Sequence, residues 1–386
     1  MTAAVGRDAA VALWLLPAVY FVFVGAEFAL MTHLAIDFTA AGRPAWQVGA
    51  LGTALWSGIL LAALAAHRAV ARAGSARVLV GGVALALGAT LGVALTDGPL
   101  AWSAGAAVMG LGSGLVWVAG ESWLAEAAPP DRRGLLVGWF ETAVGLGMMV
   151  GPALVPLARL FAWPLPALCA GLMTLALAAV GTLWAAGLAP PVANAADAGA
   201  HAGPGLAPLL GVALLGGVME SGVSALLPSV AMRIGFGADA AALLGTVIGA
   251  GSALLQPPAG HLADRCGTRP ALLAAWAIVC ATTLALAAHG DAASGLLWVA
   301  GFVMGGAGGA VYTLVVVEFG QRLRGAALVR AVGALVIAYA AGTALGPVAG
   351  GALFDVAGLR GLALALALLA AGGFVWTAAR LTESPR

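Results

Sequence analysis

Five glutamates lie inside long apolar stretches of this chain. They are Glu27, Glu121, Glu141, Glu220 and Glu318. An ionisable side chain at membrane depth costs about 3 kcal/mol on insertion scales, so such a residue is by default a functional candidate. A carboxyl group can carry a proton across a membrane if its pKa changes between two states of the protein, as desolvation in a closing cavity would make it do. The five residues therefore indicate proton movement within a membrane protein.

Two of these glutamates occupy matching positions. Glu27 and Glu220 are 193 residues apart, within Gly25-Ala-Glu27-Phe and Val218-Met-Glu220-Ser. Both fall in the middle to outer part of their apolar stretches, so they are the deepest of the five and the first candidates for proton carriers. Glu141, about eight residues inside its stretch, is the third candidate.

Glu121 and Glu318 lie within about two turns of the ends of their stretches. A structural explanation competes with the functional one for both residues, because a long side chain near a helix end can reach the membrane surface or pair with a basic residue. The available arginines are Arg132, Arg133, Arg322 and Arg324.

Aromatic side chains one or two turns from the glutamates could complete the wall of a substrate cavity. The candidates are Tyr20, Trp117, Trp123, Trp139 and Tyr312. Trp117 and Tyr312 are equivalent, since 195 residues separate them. Most aromatic residues in membrane helices pack or lie at the interfaces, so packing is the competing explanation for each candidate.

The composition shows which elements must hold these residues. Of 386 residues, 62% are hydrophobic and 9% are charged, and the mean hydropathy is +1.04. A membrane helix needs roughly 20 apolar residues, so the chain has room for about a dozen. Breaks at Gly, Pro and charged residues predict twelve spans: 9–33, 46–66, 78–96, 100–125, 134–158, 163–187, 207–231, 240–262, 270–289, 292–319, 326–353 and 359–380.

The arginines predict the orientation of these spans. An even number of spans places both termini on one side, and with cytoplasmic termini thirteen arginines face the cytoplasm. Four face outward: Arg43, Arg159, Arg233 and Arg360. This positive-inside bias predicts cytoplasmic termini. The absence of Lys, with abundant Ala and Gly, indicates a bacterial genome rich in G and C.

An internal repeat divides the chain. Gly147-x-x-x-Gly151-Pro152 returns as Gly342-x-x-x-Gly346-Pro347, 195 residues later. A Pro- and Gly-punctuated segment between the copies predicts a cytoplasmic linker at 188–206, which joins six-helix halves at 1–187 and 207–386. Glycines four residues apart allow helices to approach closely, and the internal proline kinks its helix.

A polar segment joins two apolar spans in the second half, and we interpret it as a short loop at the membrane surface. It reads Gly260-His-Leu-Ala-Asp264-Arg265-Cys-Gly267-Thr-Arg269-Pro270, and Gly267 can adopt a positive φ for a tight reversal. The first half repeats the pattern with Arg72 and Gly74, but Ala71 stands where the second half has Asp264.

This motif resembles the signature loop between the second and third helices of each half in the major facilitator superfamily. The resemblance implies an all-α membrane fold of twelve helices in two pseudo-symmetric halves. It also implies a latch in which Asp264 faces the cytoplasmic start of the fifth span, with Arg132 or Arg133 nearby. In this family the first, fourth, seventh and tenth helices line the central cavity, and each carries a glutamate here.

The repeated Gly-Pro motif resembles one found in antiporters of the superfamily. It is complete in the eleventh span, whereas the fifth span has Ala153-Leu154-Val155 in place of the trailing glycines. The arginine that many drug antiporters carry in the fourth helix before Gly110-x-Gly112 is absent. The segment Gly120-Glu121-Ser122-Trp123-Leu124 is similar to a branch of small, poorly characterised bacterial permeases, and the likeness extends over most of the chain.

Several function classes lack support in the sequence. It has no Gly-rich phosphate loop and no hydrolase nucleophile motif, which argues against ATP-driven transport and predicts that the protein is not an enzyme. The three cysteines have no metal-ligand spacing, so we expect no metal and no cofactor. We expect a monomer that binds a small molecule, protons and lipid, and no nucleic acid.

These observations predict a secondary transporter of the bacterial inner membrane that works by alternating access and is driven by protons, with export favoured over uptake. The alternative within the class is a proton symporter for a nutrient or a siderophore-like solute. A polytopic membrane enzyme or assembly factor is the alternative from another class. Its catalytic cluster would have to come from Glu121, Glu318, His67 and His261.

Overall fold

The structure is a computed structural model that describes residues 2–127, 133–186, 206–290, 294–323 and 325–381. Within these ranges the structure describes the side chains of all residues except 2–14, 67, 125–127, 133–138, 141, 294 and 325–330. The predicted contacts of Glu141, Arg132 and Arg133 and the predicted linker, apart from residue 206, therefore lie outside the described residues.

The described chain folds into α-helices joined by short turns. The helices are α1 Thr2–Ala40, α2 Ala45–Ala73, α3 Ser75–Ala94, α4 Pro99–Ala127, α5 Arg133–Leu160, α6 Leu165–Ala185, α7 Ala207–Ser224, α8 Leu227–Arg233, α9 Ala238–Cys266, α10 Thr268–His289, α11 Ser294–Arg322 and α12 Gly325–Arg380. The predicted seventh span is broken into α7 and the short α8. The last two predicted spans form α12, which bends where Gly358 has φ 63°.

Within the described residues, eleven helices are long and apolar enough to cross a membrane. The last of these candidates covers 50 residues, from Ala331 to Arg380. Because the bend at Gly358 leaves about 20 residues or more on each side, α12 provides two crossings. The predicted all-α membrane fold with twelve spans is confirmed.

The ends of the predicted spans differ from the helices, most clearly at the first, which extends from the predicted 9–33 to Thr2–Ala40. The interpretation of 260–270 as a loop was wrong. α9 continues to Cys266 and α10 begins at Thr268, so the turn is the single residue Gly267, with φ 94° and ψ 157°. Gly74, which joins α2 to α3, has nearly the same backbone angles, φ 84° and ψ 153°. The positive φ expected at Gly267 is thus present in both copies of the motif, and it lets two helices meet almost without a loop.

The chain divides into two compact units. The first unit contains Met1–Met31 and Ser57–Ala198, and the second contains Thr32–Trp56 and Gly199–Arg386. The end of α1 and the start of α2 thus group with helices of the second half. The division into halves at 188–206 stays a prediction.

Close helix contacts explain the repeated glycines. In the first unit, a Cβ added at Gly147 would lie 2.8 Å from the Phe21 carbonyl oxygen of α1. In the second unit, a Cβ at Gly342 would lie 3.0 Å from the Val218 nitrogen of α7. Each glycine therefore allows two helix backbones to touch, which is the packing function expected of such motifs.

Candidate functional site

Glu27 lies in the first unit, where α1 crosses α4. Its side chain is 5% exposed, and the Ser113 hydroxyl of α4 donates a hydrogen bond of 2.7 Å to its Oε2 atom. Ser113 is not among the residues predicted from the sequence, because a single serine inside an apolar helix gives no signal of its own.

The Ser113 hydroxyl has a second acceptor, the Met109 carbonyl oxygen at 3.0 Å. A serine hydroxyl has one proton to donate and can also accept. When Ser113 donates to Met109, the hydrogen atom between Ser113 and Glu27 has to come from the carboxyl group. When Ser113 donates to Glu27, the ionised carboxylate accepts. The serine can therefore bond to either form of the Glu27 side chain without moving.

Glu220 lies in α7 of the second unit, and its carboxylate accepts a hydrogen bond from the Tyr339 hydroxyl of α12. Its side chain extends over Gly308 of α11, where an added Cβ would lie 3.1 Å from the Glu220 Cβ. Like serine, a tyrosine hydroxyl can both donate and accept. Glu220 is therefore also held by a group that suits both forms of a carboxyl group.

The two glutamates match in sequence but differ in their partners. Gly308 follows Ser113 by 195 residues, so the second half has a glycine where the first has the hydroxyl that binds Glu27. In turn, Tyr339 follows Val144 by 195 residues, so the first half lacks the tyrosine. The equivalence predicted from the spacing does not extend to the surroundings.

The second unit has further polar contacts on α9 and α11. The predicted cavity residue Tyr312 contacts the Tyr339 ring edge-on, with ring centroids 5.0 Å apart. The neighbouring residue Thr313 donates to Gln256 Oε1 at 3.0 Å, and Gln256 Nε2 donates to Ser252 Oγ at 3.0 Å. Gln256, Thr313 and Ser252 are not among the residues predicted from the sequence, although a glutamine within an apolar helix is a visible signal.

Two of the remaining glutamates have neighbours one turn away. Trp117 Nε1 donates to Glu121 Oε1 at 2.9 Å, so the structure brings together two residues that the sequence selected separately. Glu318 is 4% exposed and accepts a hydrogen bond of 2.5 Å from Arg322 Nε. This ion pair is the structural alternative that the sequence left open for Glu318.

The other aromatic candidates lie in different surroundings. Tyr20 is buried, donates its hydroxyl hydrogen to the Val116 carbonyl oxygen, and packs on Phe140 with centroids 4.5 Å apart. Trp123 is fully buried, and its Nε1 atom has no hydrogen-bond partner among the described residues. Trp139 is 51% exposed. The burial of Tyr20 and Trp123 agrees with packing, the competing explanation.

The residues expected to form a cytoplasmic latch lie around the α9–α10 turn. Asp264 and Arg265 are exposed in the last turn of α9. Arg269 donates to the Ala378 carbonyl oxygen at 2.8 Å, near the end of α12. Gly260 has open space around it. No group of three or more His, Cys, Asp or Glu that could hold a metal ion occurs in the part of the chain that the structure describes.

Comparison with known proteins identifies the family. Residues 9–240 and 209–386 match the family model described as Major Facilitator Superfamily. The chain belongs to the major facilitator superfamily. It is therefore a secondary transporter, a multi-pass membrane protein that binds a small-molecule substrate.

Relatives and solved structures agree with this assignment. The chain is 23% identical over 331 residues to "Uncharacterized MFS-type transporter YcaD" of Salmonella enteritidis PT4 (strain P125109), covering 82% of each chain. It is 25% identical over 255 residues to "Uncharacterized MFS-type transporter YfkF" of Bacillus subtilis (strain 168), covering 63% of this chain and 64% of the relative.

Two crystal structures of the nucleoside transporter NupG have the same fold. A NupG mutant superposes with a TM-score of 0.77 at 13% identity, covering 95% of this chain and 100% of NupG. The other NupG structure superposes with a TM-score of 0.74 at 15% identity, covering 95% of this chain and 98% of NupG. At these identities the likeness shows the fold alone.

Proposed function

We propose that this superfamily member exports a small organic solute across the bacterial inner membrane in exchange for protons, by alternating access. Glu27 and Glu220 carry the protons. The observation that supports this most is that two deep glutamates at matching positions are each held by a hydroxyl group, from Ser113 in one unit and Tyr339 in the other.

The hydroxyl partners matter because a proton carrier has to be stable in two forms. A hydroxyl group donates to a carboxylate and accepts from a carboxylic acid, whereas a guanidinium only donates. Glu318, which bonds to Arg322, therefore has a structural role in this proposal. Glu121 bonds to the donor-only indole of Trp117, which makes it a weaker candidate than Glu27 and Glu220.

The Gly-Pro motif supports export, because its second copy is complete and lies where α12 packs on α7. Uptake with protons is the second candidate. The fifth span favours uptake, since it lacks the trailing glycines that antiporters carry there. The direction of proton movement when solute is added distinguishes the two.

Both termini and the 188–206 linker face the cytoplasm in this proposal, as the arginine distribution indicates. A cysteine placed at position 194 tests the orientation. The Asn194→Cys variant should resist a membrane-impermeant maleimide added to intact cells and react after the cells are opened. Labelling of this cysteine in intact cells would show that the linker faces outward, opposite to the proposed orientation.

Inside-out membrane vesicles with a fluorescent ΔpH probe test the proposed coupling. Respiration acidifies the vesicle lumen, and an exported compound that exchanges for protons raises the luminal pH. A panel of toxic dyes and drugs, first screened for growth inhibition of a deletion strain, supplies the compounds. We expect at least one panel compound to cause proton release with the wild-type protein and none to do so in vesicles that lack it.

The Glu27→Gln and Glu220→Gln variants test the two carriers. Glutamine keeps the volume and most hydrogen bonds but cannot titrate, so each variant should lose the compound-induced pH change. Counterflow of a labelled panel compound, which needs no net proton movement, should survive in at least one of them. Asp97→Asn, an exposed carboxylate between α3 and α4, is the control and should behave as wild type. If both glutamine variants still drive accumulation from a proton gradient alone, Glu141 or Glu121 becomes the carrier.

A further inference from the structure

The end of α1 and the start of α2 form a hairpin that belongs to the second unit. We call residues 32–56 the α1–α2 hairpin. Before residue 32 the chain belongs to the first unit, and it returns there after residue 56. Because α1 and α2 each run through one of these boundaries without interruption, any motion of one unit against the other pulls on the hairpin through two continuous helices.

Thr53 of the hairpin bridges two backbone groups of α12 that lie one turn apart. Its hydroxyl donates to the Ala344 carbonyl oxygen at 2.8 Å and accepts from the Val348 backbone N–H at 3.2 Å. In an uninterrupted helix, Val348 would donate to Ala344 directly, since these residues are i and i−4. The bridge lies beside Pro347, which has no N–H to donate and therefore leaves the Thr343 carbonyl without its helical partner.

Asp355 holds the beginning of the hairpin's second helix. Its Oδ1 atom accepts from the Ala45 N–H at 2.8 Å, and its Oδ2 atom accepts from the Trp46 N–H at 2.9 Å. The first N–H groups of a helix lack partners within the helix, and a carboxylate near them is also favoured by the helix dipole. One side chain of α12 thus satisfies two such groups of α2.

The tip of the hairpin has two more polar contacts within the second unit. The Thr39 hydroxyl donates to the Ser229 hydroxyl at 2.7 Å, and the Arg233 guanidinium donates to the Arg43 carbonyl oxygen. Both partners belong to α8. The hairpin is therefore held by hydrogen bonds along its length, from α8 at the tip to α12 beside Thr53.

Release of these bonds would leave few unsatisfied groups. If Thr53 withdraws, Val348 and Ala344 can form their own helical hydrogen bond, and the threonine hydroxyl can bond to the Gly49 carbonyl one turn earlier, as threonines in helices commonly do. Asp355 and Trp46 are exposed, so water can replace the bond between them. Ala45 is buried, so its N–H has to reach water as the hairpin leaves α12. The bound and released arrangements of the hairpin therefore differ little in hydrogen-bond count, as a contact that alternates during a cycle requires.

We propose that Thr53 and Asp355 are positioning residues of the transport cycle, whose hydrogen bonds hold the α1–α2 hairpin on α12 in the state described here and break together in the alternate state. This inference rests on the alternating access in the proposed function and not on proton coupling. It concerns contacts away from Glu27 and Glu220, so the two proposals can fail separately.

Hydrogen exchange of the full-length protein in detergent or nanodiscs, without any solute, tests the concerted release. The Thr53→Val variant keeps the shape of the side chain but removes both of its hydrogen bonds, and the loss of two hydrogen bonds corresponds to an effect of about tenfold. The amides of Ala45 and Trp46, two turns away and bonded to Asp355, should then exchange about tenfold faster than in the wild type. Thr53→Ser retains the hydroxyl and should match the wild type. Unchanged exchange at Ala45 and Trp46 in Thr53→Val would overturn the concerted release.

A disulfide provides a test that does not depend on changing Thr53. The hydroxyl oxygens of Thr39 and Ser229 are 2.7 Å apart, so the double variant Thr39→Cys/Ser229→Cys can lock the hairpin to α8. Oxidation should stop the panel-compound-induced pH change in vesicles, and a reductant should restore it. Each single-cysteine variant controls for the native cysteines. A verified disulfide that leaves transport at the wild-type rate would show that the hairpin does not release. If no panel compound moves protons, the proposed function fails, and the exchange experiment still decides this inference.

Discussion

Gly308 stands in the second half of the chain where Ser113 stands in the first, and Glu220 lies across this glycine. The internal repeat has thus kept a glutamate at matching positions and exchanged the group that binds it. Glu27 bonds to a neighbour on α4, whereas Glu220 bonds to Tyr339 on α12. Because α12 also carries the contacts of Thr53 and Asp355, a change at Glu220 can act on the same helix that holds the hairpin.

The Tyr339→Phe variant should impair proton-driven transport through Glu220. Phenylalanine keeps the aromatic ring that contacts Tyr312 but removes the hydroxyl that donates to the carboxylate. A hydrogen bond to a charged group contributes about 1.5–3 kcal/mol, so we expect a loss of roughly tenfold or more in the rate of compound-induced pH change.

A double-mutant cycle checks that this loss acts through Glu220. In a Glu220→Gln background, Tyr339→Phe should have a much smaller effect, because the pair is already broken. Equal effects in the two backgrounds would mean that the tyrosine hydroxyl acts elsewhere.

Gly308→Ala should displace Glu220 without removing any polar group. The new methyl carbon would lie 3.1 Å from the Glu220 Cβ and 3.2 Å from its Cγ, so the glutamate side chain has to shift away. We expect slower proton-coupled transport and a lower melting temperature. Gly295→Ala on the same helix is the matched control, since nothing lies within 4 Å of a Cβ there. Its added methyl should leave transport at the wild-type rate and stabilise the helix slightly.

The fold could be predicted from the sequence because it depends on local properties. Long apolar stretches separated by glycines and arginines define membrane helices, and Gly267 and Gly74 mark the same tight turn in both halves. The predicted length of the turn after α9 was wrong because charged residues such as Asp264 and Arg265 were interpreted as part of a loop. They are instead exposed on the last turn of α9, where a helix can end in water.

The partners of the candidate site could not be predicted in the same way. Tyr339 is 119 residues from Glu220, and it stands in an apolar helix whose pattern gives no reason to select it. Thr53 and Ser113 are equally inconspicuous. Such residues become significant only when packing brings a single hydroxyl to a carboxyl group or to the backbone of another helix, which depends on helix crossings and not on spacing in the sequence.

Asp264→Asn should slow transport without lowering the stability of the protein. Asp264 lies in the last turn of α9, where the helix dipole disfavours an anion by a few tenths of a kcal/mol to about 1 kcal/mol. Removing its charge should therefore leave the melting temperature unchanged or slightly raised. Slower transport of a panel compound, despite normal stability, would support the latch that the sequence motif predicts. An Asn variant with wild-type rates would limit the motif to a signal for membrane topology.

The transported solute should carry no net negative charge. Glu27 and Glu220, the residues proposed to carry the protons, are acidic, whereas arginines such as Arg233 and Arg322 stand at helix ends. An anion beside either carboxylate would meet a like charge, and leaving a buried charge uncompensated is strongly unfavourable. In the vesicle assay, the cationic dye ethidium and an anionic dye of similar ring size, fluorescein, provide a first comparison across the panel. We expect responses to be confined to cationic and neutral compounds, and Glu220→Gln should weaken the preference for cations over neutral ones. A pH change of equal size with fluorescein would contradict this charge selection, even if the glutamates prove to carry the protons.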